Sequence, residues 1–158
     1  MLESLYDDVL ASDIRVYDFH ISETKKAACF HSGDHKAILL DRPVIRTEGE
    51  ECVILAEELG HYETGGLYLL EATINMPVYR NNILKCEGRA KRWKIKRLLP
   101  FDELKEAVQD GYIEYYELSE HFNLPVHFIK EAVELYTETL GLSFAVDGFS
   151  SYSNEDCL

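Results

Sequence analysis

An α+β fold is predicted for this chain of 158 residues: a small antiparallel sheet packed on one central helix, followed by an all-helical C-terminal part. Three features predict it. Short alternating or apolar runs bounded by turn residues lie between residues 13 and 40, which is strand patterning. A capped segment with an apolar stripe at helical spacing comes next and ends at paired glycines. From about residue 79 onward the apolar spacing is helical almost throughout.

In chain order, Leu2, Leu5, Tyr6, Val9 and Leu10 recur at helical spacing and predict a short amphipathic opening helix. Asp13 to Ile21 alternates apolar and polar residues, Lys26 to Phe30 is short and apolar, and His35 to Leu40 is richer still. Ser32-Gly33-Asp34 supplies a hairpin turn between the last two. Asp41-Arg42-Pro43 closes the third strand, because proline cannot donate to a ladder. Thr47 caps the central helix, and Glu48, Glu50 and Glu51 suit its positive N-terminus. Gly65-Gly66 stops it. Leu67 to Tyr79 reads as a loop with a turn at Asn75-Met76-Pro77, and Asn81 to Leu99 as a helix ended by Pro100.

Phe101 to Val108 is a short helix closed by Asp110-Gly111. Tyr115 to Phe122 and Val126 to Leu140 form a helix pair joined at Asn123-Leu124-Pro125. Leu142 to Phe149 adds a possible strand, and 150–158 reads as a flexible tail. The expected organisation is a single domain over 1–149, with the sheet and central helix at about 1–66 and the helical part at about 79–141.

A net charge of −13 opposes general affinity for nucleic acid or anionic membrane and favours basic partners. The favoured reading is an acidic surface that maintains solubility. Cys29, Cys52, Cys86 and Cys157 form no Cys-x-x-Cys pair, which argues against thiolate metal and dithiol redox sites. The start of the chain lacks the basic and apolar regions of a signal peptide, and no apolar run nears the roughly 18 residues that cross a bilayer. A cytoplasmic protein with reduced thiols is the expectation.

The central helix carries the chemistry. Cys52, Leu55, Ala56, Leu59 and Tyr62 form its apolar stripe at about 100° per residue. Glu57 and His61 stand one turn apart on another face, with Glu58 to one side. The order Glu57-Glu58-x-x-His61 differs by one residue from the zinc-protease pattern His-Glu-x-x-His. Two ligands at i and i+4 plus a carboxylate beside them is what a zincin needs. The competing reading is a surface helix with two acids and a histidine. Ile54 falls inside the polar arc, which suits a cleft better than open water.

Further residues make the pattern specific. The strand Ala37-Ile38-Leu39-Leu40-Asp41, the block Leu55 to Tyr62, Glu87-x-Arg89-Ala90, Trp93, Leu98-Leu99-Pro100 and Glu117 to Pro125 occur in this order over roughly residues 35–140. In these the chain resembles the ImmA/IrrE family of metallo-endopeptidases, gluzincin-type enzymes associated with phages and mobile elements. The resemblance implies a zincin-like fold with Glu58 as general base and Glu57, His61 and Glu87 as metal ligands. Glu57 departs from the family's usual histidine. A zinc site of two His and one Glu is at about +1, whereas one His and two Glu bring it to about zero, which weakens its acidification of water. Zn2+ remains the expected ion, with Mn2+ or another divalent ion the lesser choice for this harder set. Without a cation three carboxylates would crowd, so a metal or a basic neighbour is expected, and Arg89 and Arg92 are candidates.

The implied function is cleavage of a helix-turn-helix transcriptional repressor of a mobile element or stress response. The alternative is a catalytically weak or inactive zincin-fold module that binds such a repressor without cutting it. Ile38, Leu39 and Leu40, if at the sheet edge, would hold substrate by main-chain hydrogen bonds. Lys85 to Arg97 places seven basic residues in thirteen positions, all round the helix, which reads as a solvated face more than a docking patch. The pair around Asn123 has helix-turn-helix spacing, but Glu131, Glu134 and Glu138 argue against direct DNA binding. His20, His31 and His35 near the hairpin read as surface histidines, and His121 and His127 as ordinary members of the helix pair.

Overall fold

The computed structural model describes residues 1–21, 25–32, 34–65 and 77–139. Within them the chain is α+β and mostly helical. The order is α1 (Leu2–Ala11), β1 (Ile14–Asp18), β2 (Ala27–Ser32), β3 (His35–Leu40), a 3-10 turn (Arg42–Val44), α2 (Glu48–Glu63), α3 (Pro77–Leu98), α4 (Phe101–Gln109), α5 (Tyr115–Phe122) and α6 (Val126–Glu134). A π-helical turn, Leu135–Thr139, prolongs α6. Among the described residues no helix is long and apolar enough to cross a membrane. The expected turn glycine Gly33, the stretch 66–76 with Asn75 and Met76, the possible strand 142–149 and the tail lie outside the described residues.

The sheet is mixed, not antiparallel as expected. Its order is β1-β3-β2, with β2 antiparallel to β3 and β1 parallel to it. The cause lies in β3. Ile38 and Leu40 are fully buried, and a strand this apolar belongs where both edges are paired. Residues just after β1 and just before β2 both bond to the end of β3. The Phe19 N–H donates to the Leu40 carbonyl (2.9 Å), and the Asp41 N–H donates to the Lys26 carbonyl (2.8 Å). The buried Asp41 carboxylate also meets His20 Nδ1 at 2.6 Å.

Central placement overturns one expectation directly. Ile38, Leu39 and Leu40 are not at an edge, and their main-chain groups face strands on both sides. Ile38 and Leu40 are core residues, Leu39 is half-buried, and none of the three can take a peptide as an added strand.

The site helix α2 starts where its sequence requires. Thr47 is extended, and its hydroxyl accepts the Glu50 N–H at 3.1 Å. Glu50 in turn accepts from Lys26 and from the Arg46 N–H, which together hold its carboxyl below the usual range. Cys52, Leu55, Ala56 and Leu59 are buried as the stripe predicts, and Ile54 packs partly against the same core. Thr47→Ala is expected to cost about 1 kcal/mol, the usual worth of such a cap; a denaturation curve with an unshifted midpoint would contradict it.

Tyr62 ties α2 to the sheet. Its hydroxyl accepts the Ala37 N–H at 3.0 Å and faces the Ala37 carbonyl at 2.7 Å as well as the Phe30 carbonyl. At the other end, Arg42 donates to Asp18, Glu51 and the Tyr6 hydroxyl, joining β1, α1 and α2. Helix α3 begins at Pro77, four residues before its predicted start. Proline suits the first helical turn because its missing N–H has no intrahelical partner there. Beyond α3, Tyr136 is buried and its hydroxyl donates to the Leu99 carbonyl at 2.7 Å, so the last turn locks onto the end of α3.

Candidate metal and peptidase site

The site is built by α2 and α3, which pack against each other closely. Gly60, inside the Glu57 to His61 motif, sets the distance. A Cβ there would lie 3.0 Å from the Ala90 carbonyl oxygen and 3.4 Å from both Ala90 Cα and the Trp93 ring. Glycine thus lets the two backbones approach, and one residue later His61 meets Glu87. Their Nε2 and Oε2 atoms are 3.7 Å apart. That is too long for a hydrogen bond, and near the ~3.3 Å that two tetrahedral ligands at about 2 Å from one zinc ion subtend.

Glu58 points from the same helix toward β2. Burial pushes its carboxyl pKa up, and the neighbouring Cys29 and His61 pull it only part of the way back. Cys29 itself is pushed up to about 12, first by burial and then by Glu58. The thiol is therefore neutral beside the carboxylate and not a nucleophile. Cys29 lies on β2, whose outer edge carries no strand among the described residues.

Glu57 is placed differently from the expected ligand. Its Oε2 accepts from Lys94 Nζ at 3.0 Å, while its side chain stays 49% exposed. Lys94 is the basic neighbour that the crowded carboxylates called for, in place of Arg89 or Arg92. Arg89 donates instead to Cys86 Sγ at 3.0 Å. Among the described residues no three His, Cys, Asp or Glu side chains stand together as a metal-holding group.

The donor chemistry fits a divalent ion in part: His61 and Glu87 are brought together and Glu58 stands beside them with a raised pKa, whereas Glu57 is paired with Lys94.

The basic run on α3 divides by partner. Lys91 and Lys94 meet Glu131, and Arg97 meets Asp8. Lys85, Arg89 and Arg92 line an open cleft of about 610 Å³ with Leu84 and Gly88, so part of the run does share one face. The helix pair α5–α6 turns at Asn123 (φ 53°) and buries Leu118, Phe128, Ile129 and Val133. Its turn presses on Gly49 at the start of α2. His121 lies tilted against Tyr112 and meets Phe122 edge to face.

Sequence reasoning missed Lys94, Cys29 and Gly60. Lys94 lies seven residues after Glu87, two turns along the same helix face, which is a legible signal. For Cys29 the sequence holds none, since its approach to Glu58 depends on how β2 lies over α2.

No protein-family model, curated protein or solved structure matches this chain.

Proposed function

We propose that the chain is a zincin-like, metal-dependent endopeptidase of the cytoplasm whose substrate is a helix-turn-helix transcriptional repressor of a mobile element or stress response. The observation that carries the reading is the approach of His61 to Glu87 beside Glu58. The ordered resemblance of residues 35–140 to the ImmA/IrrE family supports it and supplies the substrate class. Glu57, His61 and Glu87 would hold zinc, with Mn2+ as the lesser choice. The chemistry a metal ion supplies in such a set is polarisation of a carbonyl and acidification of a water.

The chain's own residues do the rest. Glu58 takes a proton from the attacking water at its carboxylate and gives it to the leaving amine nitrogen. Burial suits it to the task, because a carboxylate with a raised pKa is a stronger base. Cys29 stands beside Glu58 as a neutral thiol. With β3 internal, β1 and β2 carry the outer edges of the sheet, and Cys29 puts the edge of β2 beside the base, where an extended peptide would be held. The basic cleft of Lys85, Arg89 and Arg92 adjoins Glu87 along α3 and favours acidic substrate residues nearby.

The non-cleaving alternative is favoured by one specific observation, the pairing of Glu57 with Lys94. Metal stoichiometry tests the site. The purified protein is expected to bind one zinc ion, and His61→Ala to lose it. Binding that persists unchanged in His61→Ala would place the ion elsewhere and remove the basis of the peptidase reading.

A further inference from the structure

The seven basic residues from Lys85 to Arg97 separate into two groups once α3 is packed. Lys91 meets Glu131 at 3.2 Å, Lys94 meets Glu57 and Glu131 at 3.0 Å each, and Arg97 meets Asp8 at 2.7 Å. The others are Lys85, Arg89, Arg92 and Lys96. All four are exposed, and among the described residues none of them meets a carboxylate. Arg89 has Cys86 Sγ at 3.0 Å and no acid.

Their spacing is i, i+4, i+7 and i+11. At about 100° and 1.5 Å per residue, the four fall within an arc of about 60° and run about 16 Å along the helix. The paired Lys91, Lys94 and Arg97 lie about 110° or more round from the centre of that arc. Cys86, Ala90 and Lys94 form the buried side, so the stripe is on the exposed side of α3.

A merely solvated face would interleave acids at i±4. Helix α3 has a single acid, Glu87, and it stands round the helix from the stripe. Lys85 and Arg89, Arg89 and Arg92, and Arg92 and Lys96 are instead like-charged neighbours at i+4 or i+3, which weakens the helix. This arrangement stands on a chain with a net charge of −13, where acids are plentiful. At its N-terminal end the stripe borders the open cleft of about 610 Å³, where Gly88 brings no side chain and Leu84 is 64% exposed.

We propose that this stripe docks an acidic peptide segment of a partner protein, with carboxylates spaced along one side and an apolar residue seated against Leu84 over Gly88. The forked guanidinium groups of Arg89 and Arg92 suit bidentate carboxylates. A peptide fits better than a nucleic acid. A duplex carries a charge every ~1.7 Å and would run past the stripe onto the surface of an acidic chain, which repels it. Docking here needs neither metal nor cleavage, so it stands apart from the peptidase reading.

The test uses the full chain in chelator at low salt. Its probe is a fluorescein-labelled helical peptide carrying Glu at i, i+4, i+7 and i+11 and one Leu, followed by anisotropy. Wild type is expected to bind saturably, and more weakly as salt screens the charges. The variant Arg89→Gln/Arg92→Gln should bind about tenfold more weakly, the combined worth of two good charge pairs, and Lys85→Gln/Lys96→Gln several-fold more weakly. Arg15→Gln/Arg46→Gln removes the same charge elsewhere and should stay within about twofold of wild type. Both stripe variants should melt no lower than wild type, because like-charge repulsion is relieved. If Arg89→Gln/Arg92→Gln melts lower, Lys85→Gln/Lys96→Gln decides alone.

Wild type that does not bind the peptide below about 1 mM, or equal weakening in the stripe variants and the charge-matched control, overturns the proposal. Duplex DNA that displaces the peptide at lower concentration also overturns it and makes the stripe a nucleic-acid contact. Self-association of wild type that is lost in Arg89→Gln/Arg92→Gln and unaffected by the peptide overturns it in favour of a second copy of this chain.

Discussion

Gly49→Ala is expected to destabilise the protein by about 2–4 kcal/mol, as overpacking against rigid groups does. A Cβ at this position would lie 2.1 Å from the Asn123 carbonyl oxygen, 3.0 Å from its carbon and 3.2 Å from Leu124 Cα. All three atoms are backbone, so no side chain can rotate aside. Asn123 is itself fixed in a left-handed conformation (φ 53°) that closes α5. Its turn is tied further by the Ser119 hydroxyl, which donates to the Leu124 carbonyl at 2.5 Å. Alanine's better helix propensity returns at most about 1 kcal/mol, so the clash wins. The start of α2 must lift from the helix pair. Thermal unfolding should move down by roughly 5–15 °C for a chain of this size, and an unchanged or raised midpoint would contradict the close approach.

Glu58→Gln is expected to do two things at once. Cleavage should fall by about 10²–10⁴-fold, the usual contribution of a general base, because an amide cannot accept the proton. Stability should rise at neutral and alkaline pH, because burial penalises the charged carboxylate. The folded pKa lies above the unfolded one, so the folded state holds the proton more tightly. The penalty is absent well below the ordinary carboxylate value of about 4.3, grows as pH rises toward the folded value, and is complete above it. Variant and wild type should therefore melt most alike near pH 4 and separate in favour of the variant as pH rises. Melting curves whose separation did not grow from pH 4 to 8.5 would mean that Glu58 is not held as described.

A residue that weakens the fold while serving the proposed chemistry is what an active site leads one to expect. The same tension explains which parts of this protein could be read from its sequence. The cap at Thr47, the stripe from Cys52 to Leu59 and the bounds of β3 and α5 follow from local rules, and the structure has them as expected. The parallel pairing of β1 with β3 does not follow from local rules. It depends on a clasp between Phe19, Lys26 and the end of β3, contacts that join different strands. The unbroken apolar run from Ala37 to Leu40 already signalled a central strand, and reading it as a substrate edge gave that signal too little weight.

The site divides in the same way. Glu57, Glu58 and His61 are legible because they share one helix at fixed spacing. The meeting of His61 with Glu87 depends on the close packing at Gly60, which a motif does not express as a distance. Lys94 looked like one more charge in a basic run, and its burial became visible only once α2, α3 and α6 were packed together.

The central claim is that this chain cuts a repressor with Glu58 as base in a metal-dependent site. Its most direct test is co-expression of the full chain with a neighbouring helix-turn-helix repressor, followed by mass analysis of the repressor. The account predicts defined fragments with wild type and zinc, and an intact repressor with Glu58→Gln or after chelation. An intact repressor that co-purifies with the zinc-loaded wild type would contradict it and establish a binding module in its place.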